Sequence, residues 1–338
     1  MNSRDGKAWR LPEFGLSAMR LDLQPVPPVG AHDLLIAVSA VSLNYKDKLI
    51  VEGKLIPDLA FPYVPASDFS GQVVEIGSAV TRFRVGDRVL GQVIADWIDG
   101  DAPAVLHQKT LAMTAPGVLS QYVVIDENAA VAAPASLSDV EASTLPIAAL
   151  TAWSALIEQT RHLPGQTIVV EGTGGVSLFA LQFARAFGLR AIVTSSSDEK
   201  LARAKELGAW HGINYRSHPN WGTAVRSLTG EGAAHVLEVV GGANVLEAAE
   251  AVASDGVISV IGILGGTQFT LPIVAFMRRR LRIQGVSVGS RRAFERMTRA
   301  IDVAGIKPVI DSVFPFGEAA DAFHRLSQSP FGKVVIAS

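Results

Sequence analysis

Thr167-Ile168-Val169-Val170-Glu171-Gly172-Thr173-Gly174-Gly175-Val176-Ser177 and the residues after it, as far as Lys200, decide the fold. Residues 167–171 are a short, β-branched, nearly continuous apolar run, the pattern of a strand covered on both faces in a parallel sheet. A glycine turn follows, residues 178–187 read as a helix ending at Gly188, and residues 190–194 read as a second strand. Strand, glycine turn, helix and strand follow one another in the order of a dinucleotide site. The turn lets backbone approach a pyrophosphate, and the helix N-terminus favours an anion. The full fingerprint is Gly-x-Gly-x-x-Gly; Ser177 holds its third position and is small enough for close packing of helix on strand.

The second strand ends where an acidic residue would hydrogen-bond the ribose hydroxyls of NAD. Here it ends in Thr194-Ser195-Ser196-Ser197, with Lys200 one helical turn further on. Hydroxyls in place of a carboxylate remove the repulsion against a 2'-phosphate and the lysine adds positive charge, so the sequence predicts NADP(H). Ser197 or Asp198 also reads as the N-cap of the next helix.

The 338 residues, 49% of them hydrophobic, suffice for two domains with large cores. A formal net charge of -2 gives no general electrostatic reason to expect nucleic acid or an anionic membrane. With no cysteine, disulfides, thiolate nucleophiles and thiolate metal ligands are excluded. Residues 1–7 are polar with no apolar segment behind them, and no apolar run reaches the length of a membrane span, so a cytoplasmic protein is expected.

Residues 7–132 show strand-like runs such as 34–38, 71–77 and 87–90 separated by Pro and Gly turns, as in a β-rich, barrel-like domain. Residues 133–304 alternate strands and helices, with further buried strands predicted at 236–240, 257–261 and 281–286. From Lys307 the chain turns β-like again at 309–313 and 332–337, which returns it to the first domain. The expected division is residues 1–132 plus 305–338 against 133–304.

Several phrases together resemble the medium-chain dehydrogenase/reductases, in their zinc-free quinone oxidoreductase branch. They are Ser42-Leu43-Asn44-Tyr45-Lys46-Asp47, Pro65-Ala66-Ser67-Asp68-Phe69-Ser70-Gly71, Val85-Gly86-Asp87-Arg88-Val89, Leu150-Thr151-Ala152-Trp153, the glycine turn, Lys205-Glu206-Leu207-Gly208-Ala209, Ile213-Asn214-Tyr215 and Phe331-Gly332-Lys333-Val334-Val335. Each is weak alone; their order and spacing cover nearly the whole chain. The resemblance implies an α/β protein: a Rossmann-type doubly wound parallel sheet inserted into a discontinuous β-rich GroES-like barrel domain. By motif, the three catalytic zinc positions of the superfamily's alcohol dehydrogenases fall on Asn44, Ser67 and Ile147, a poor donor set. No structural zinc lobe matches residues 94–117, and none of the seven histidines forms a close-spaced ligand pair. No metal is expected.

The resemblance also implies the chemistry. Without a Lewis acid, oxidation of ordinary alcohols is disfavoured, leaving hydride transfer to a quinone or to the β-carbon of an α,β-unsaturated carbonyl, a small electrophilic substrate. Asn44 and Thr151 are assigned to the nicotinamide and its ribose, Thr173, Gly174, Gly175 and Val176 to the pyrophosphate, and Ser195, Ser196, Lys200 and Tyr215 to the 2'-phosphate. Gly262, Ile263, Leu264, Val286, Ser287 and Val288 would flank the ring, with Phe331 and Lys333 closing from the C-terminal piece. Thr151, Ile263, Leu264 and Tyr215 have a packing role as the alternative reading. Tyr45, Lys46 and Asp68 are the candidate proton donors, Lys46 with Asp47 reading also as a structural ion pair. The tyrosine donor of the enoyl-thioester reductases has no match in Glu52-Gly53-Lys54-Leu55.

The 97–122 segment reads as a cap over an apolar pocket or as a surface excursion, and the basic run 278–282 as a phosphate grip, a subunit surface or a solvated face. A homodimer is expected by family analogy. The alternatives are an acryloyl-CoA-type thioester reductase and a cofactor-binding protein with little catalysis.

Overall fold

The first strands pair locally: β1 (Asp5–Arg10) lies antiparallel to β2 (Arg20–Pro25). The computed structural model describes residues 4–103 and 109–338. Next come β3 (Asp33–Leu43), α1 (Tyr45–Val51), β4 (Asp68–Ile76), β5 (Arg88–Gly91), β6 (Tyr122–Asp126), β7 (Ala130–Ala132) and the short α2 (Asp139–Ala142) and α3 (Leu150–Trp153). The chain divides into two units, Met1–Leu150 with Gly289–Ser338, and Thr151–Val288.

The second unit carries the strands read from the glycine stretch. They are β8 (Thr167–Glu171), α4 (Gly175–Ala186), β9 (Arg190–Ser195), α5 (Asp198–Glu206), β10 (His211–Asn214), α6 (Trp221–Thr229), β11 (Ala233–Glu238), α7 (Val245–Ala251), β12 (Val252–Val260), α8 (Ile273–Arg279) and β13 (Arg282–Gly285). The strands are all parallel, in the order β10-β9-β8-β11-β12-β13. Numbered within the sheet this is the Rossmann order 3-2-1-4-5-6, whose switch point lies between β8 and β11. All five residues of β8 are buried, as its unbroken β-branched run predicts. Each such aliphatic side chain contributes roughly 1.5–3 kcal/mol by burial. Helix α4 starts a turn earlier than expected because glycine at 174 and 175 tolerates the first turn while Val176 continues it; Gly188, at a φ of 72°, closes it.

In the first unit the chain resumes with α9 (Arg291–Ala304), β14 (Ile310–Pro315), α10 (Ala319–Leu326) and β15 (Lys333–Ala337). Its sheet runs β14-β15-β3-β4-β5-β7, with β6 also on β3. Phe69, Leu34, Ile36, Leu43 and Phe323 fill the core beneath it. The boundaries differ from 133 and 304 because α9 belongs to this unit: Phe294, Met297 and Ile301 are buried. Asp302 accepts from the Ala135 and Ser136 amides at 3.2 and 3.0 Å, and Glu295 meets Arg82 at 2.9 Å. Among the described residues no helix is long and apolar enough to cross a membrane.

Candidate active site

In the first unit, Asn44 closes β3 and caps α1, its backbone N–H donating to Asp47 Oδ2 at 2.8 Å. Its side chain is held at both ends. Nδ2 donates to Asp68 Oδ2 at 2.9 Å, and Oδ1 accepts from Lys333 Nζ at 2.7 Å. The ammonium also donates to the Leu43 carbonyl at 2.7 Å and stands 4.0 Å from Asp68 Oδ2. Asp68 is fully buried and accepts a further bond from the Ile147 amide at 3.3 Å. Burial pushes its carboxyl up to about 6, against the pull of the Lys333 charge and the Asn44 hydrogen bond. Ala66, at a φ of 64°, supplies the left-handed corner that turns Ser67 and Asp68 inward.

The structure places three of the expected site residues in the interior. Asp68 holds the Asn44 amide from inside the protein through its Oδ2. Lys333 is only 4% exposed, its amine turned under Asn44 because β15 faces it into the sheet against β3. Phe331 is 3% exposed and its N–H donates to Asp311 Oδ1 at 3.0 Å. Lys46 Nζ lies 3.6 Å from Asp47 Oδ1, close to the ion-pair reading, and has no hydrogen-bond partner. Tyr45 is 41% exposed, with Lys48 over its ring.

The three zinc positions do not suit a zinc ion. Asn44 Oδ1 is occupied by an ammonium, Ser67 Oγ is buried against Asp68 Oδ1 at 3.5 Å, and Ile147 offers only hydrocarbon. No group of three potential ligands lies together among the described residues.

In the second unit, Gly172 has a φ of 71°, and Gly174 is the N-cap of α4 without any side-chain cap. The first intrahelical bond is Leu178 N–H to Gly174 O at 3.0 Å. The Gly175, Val176 and Ser177 amides therefore precede the helical ladder, and a Cβ placed on Gly174 would meet nothing within 4 Å. Open backbone donors at a helix N-terminus fit a dinucleotide's phosphates. Ser177 does more than stay small, since its Oγ donates to Glu171 O at 2.6 Å and pins helix to strand. Thr173 is buried and Gly175 and Val176 half-buried.

At the end of β9, Ser195 is buried with its Oγ accepting from Ser197 N–H at 3.3 Å, and Ser197 Oγ caps the Lys200 amide at 3.3 Å. Two of the three hydroxyls thus serve the turn. Ser196 and Lys200 remain half-buried and Tyr215 is 42% exposed. Asp198 is held by Asn214 Nδ2 at 2.8 Å. Ile263 and Leu264 are exposed, which overturns their reading as core; Gly262 and the Val286, Ser287 and Val288 run are half-buried. Val288 has a φ of 55°, a costly conformation for a β-branched residue. Thr151 is 3% exposed, in α3. The basic run is structural: Arg279 donates to the Ala249, Glu250 and Val252 carbonyls at the end of α7, and Arg280 pairs with Asp255. In the 97–122 segment, Trp97 and Ile98 carbonyls accept from Arg291 and Arg292, while residues 104–108, including His107, lie outside the described residues.

Sequence reading missed one more cluster in this unit, the buried carboxyls of Glu171 and Glu238. The signal was an acid closing each of two apolar strands.

Residues 30–135 match the alcohol dehydrogenase GroES-like domain family, and residues 175–303 the zinc-binding dehydrogenase family. A zinc-type alcohol dehydrogenase-like protein of Schizosaccharomyces pombe is 40% identical over 312 residues, 90% of each chain. The rat (Rattus norvegicus) quinone oxidoreductase is 27% identical over 343 residues, covering 98% of this chain and 97% of its own. This chain belongs to the medium-chain dehydrogenase/reductases, in their quinone oxidoreductase-like branch. A crystal structure from Sinorhizobium meliloti 1021 that bears the name alcohol dehydrogenase superposes with a TM-score of 0.93 at 48% identity, all of both chains covered. The GroES-like and Rossmann-type parts of a medium-chain dehydrogenase/reductase are both present, and the chain is an oxidoreductase of that superfamily.

Proposed function

We propose that this oxidoreductase uses NADPH, without zinc, to reduce a quinone or an α,β-unsaturated carbonyl. The observation that carries the reading is the Lys333 ammonium bonded to Asn44 Oδ1, a protein cation set among residues that are a poor donor set for zinc. A nicotinamide dinucleotide supplies the hydride. The chain's part is to bind and orient: the Gly175, Val176 and Ser177 amides meet phosphate, and Ser196, Lys200 and Tyr215 support a 2'-phosphate where β9 lacks a terminal acid. Asn44, its amide fixed by Asp68 and Lys333, keeps its second Nδ2 hydrogen to donate to an oxygen that gains negative charge, an enolate or phenolate. Its rigidity is what makes that donor useful, because no reorganisation is needed as charge develops.

The test is loss of NADPH absorbance in chelator-treated buffer against quinones, enones, enals and enoyl-CoA esters, with NADH alongside. Turnover that survives chelation and prefers NADPH supports the reading. Activity on alcohols alone, with NAD alone, or only after zinc is added would refute it.

A further inference from the structure

We infer that Glu171 and Glu238 share a single proton, and that this proton governs how tightly the glycine turn holds a dinucleotide. The inference rests on the proposed binding of a dinucleotide at that turn.

The two carboxyls close β8 and β11, the strands on either side of the switch point, and both are buried to within 1% of full cover. Their donors are unequal. Glu238 accepts from the Val240 and Gly241 amides at 3.1 and 2.8 Å and from Asn244 Nδ2 at 2.9 Å. Glu171 Oε2 accepts from Val239 N–H at 3.3 Å and from the same Asn244 amide at 3.0 Å, while Oε1 has no partner at all. A buried carboxylate oxygen with no donor, beside a second carboxylate, is accounted for if that oxygen carries a proton and gives it to its neighbour. Glu171, with fewer donors and a bare Oε1, is then the carboxyl that carries the proton. Burial, and next the Glu238 charge, hold the Glu171 carboxyl well above the ordinary carboxylate range.

Around the pair, β11 presents only Glu238, the Gly242–Asn244 turn presents Asn244, and the first turn of α4 contributes the Ser177 hydroxyl and no charge. No facing lysine, arginine or histidine is paired with either carboxyl among the described ion pairs. Loss of the proton therefore leaves a second, uncompensated negative charge inside the protein. Glu171 immediately precedes Gly172, so that charge lies directly behind the turn that receives phosphate. It opposes the helix N-terminus that attracts the anion, and a bound dinucleotide in return holds the proton more firmly. The pair also laces the glycine turn to the Val239–Asn244 loop through the amide they share.

NADPH and NADH binding, followed by quenching of tryptophan fluorescence from pH 6.5 to 9.5, tests this in the wild type, Glu171→Gln and Glu238→Gln. The wild-type dissociation constant is expected to rise with pH, by up to about tenfold per unit above the titration of the pair. Glu171→Gln, which removes the carboxyl that carries the proton, is expected to lose that slope, whereas Glu238→Gln, in which Glu171 keeps its burial but not the neighbouring charge, is expected to move it to lower pH. A purely structural role would weaken binding in the variants and leave their slope equal to the wild type's, and that result, or a flat wild-type profile, would overturn the inference. If neither dinucleotide binds at any pH, the proposed function fails instead. Thermal unfolding then reads the pair alone: wild-type stability is expected to decline as pH rises above the ordinary carboxyl range, and Glu171→Gln to remove that decline.

Discussion

Asn44 shows how much one side chain depends on its neighbours. Replacing it with alanine strands both a buried ammonium and a buried carboxyl, so Asn44→Ala is expected to lower stability by about 1.5–3 kcal/mol in urea unfolding, besides reducing turnover. Lys333→Arg is no safe exchange, since a planar fork does not reproduce the ammonium's bonds to Leu43 O and Asn44 Oδ1. A second residue, His235, is fully buried on β11, its Nδ1 at 3.0 Å from His162 Nε2 and its Nε2 at 2.8 Å from Ser259 Oγ. Burial lowers it to about 3 from 6.5, with the neighbouring His162 and Arg282 adding to the effect. The folded state binds the proton more weakly than the unfolded chain, so its contribution is complete above pH 6.5 and is lost as pH falls towards 3. The urea midpoint should therefore drop steadily below pH 6.5, and His235→Gln should flatten that drop. The identity of these residues was plain in the sequence. Their partners lie far along the chain, as Asn44 and Lys333 do, and no local spacing pairs them.

Helix α4 is the element on which the proposed cofactor binding turns. Its N-cap is a glycine with open space above it, so a side chain at 174 is tolerated by the fold and felt by the ligand. Gly174→Asp is expected to leave thermal stability unchanged or raise it by a few tenths of a kcal/mol as a better N-cap, while weakening dinucleotide binding at least about tenfold through repulsion of phosphate. Fluorescence titration beside a melting curve separates the two effects. Strand β8 and α4 were legible because a β-branched run, a glycine turn and an apolar helical run are local patterns. The end of β9 was only half legible: the hydroxyls were visible, but the structure spends Ser195 and Ser197 on capping, while Ser196 and Lys200 are half-buried and Tyr215 is exposed. The basic run 278–282 reads as a phosphate grip, a subunit surface or a solvated face, and the structure gives Arg279 none of these roles, since it bonds within its own unit. Arginine looks like a ligand grip until it is seen to satisfy the carbonyls that end α7.

At the scale of the molecule, the homodimer expected by family analogy is a proposal, and the surface it would use is on the second unit. Strand β13 is the edge of its sheet, and α8 beside it exposes Ile273, Val274 and Met277 at 72%, 61% and 68%. An open strand edge flanked by apolar side chains is a surface that a second copy can cover. Light scattering of the purified chain should give a dimer mass, and Met277→Glu should shift it towards the monomer with the circular dichroism spectrum preserved. The sequence by itself determined the alternation of strands and helices, the glycine turn, the lack of thiolates and the poor zinc donor set, because each is a property of residue types or of neighbours along the chain. Tertiary structure alone decided that α9 joins the first unit, that Lys333 faces inward beneath Asn44, and that two strand-end glutamates share one buried space. Those facts depend on which distant segments the sheets bring together, and hydrogen bonding and desolvation act on that proximity rather than on sequence distance.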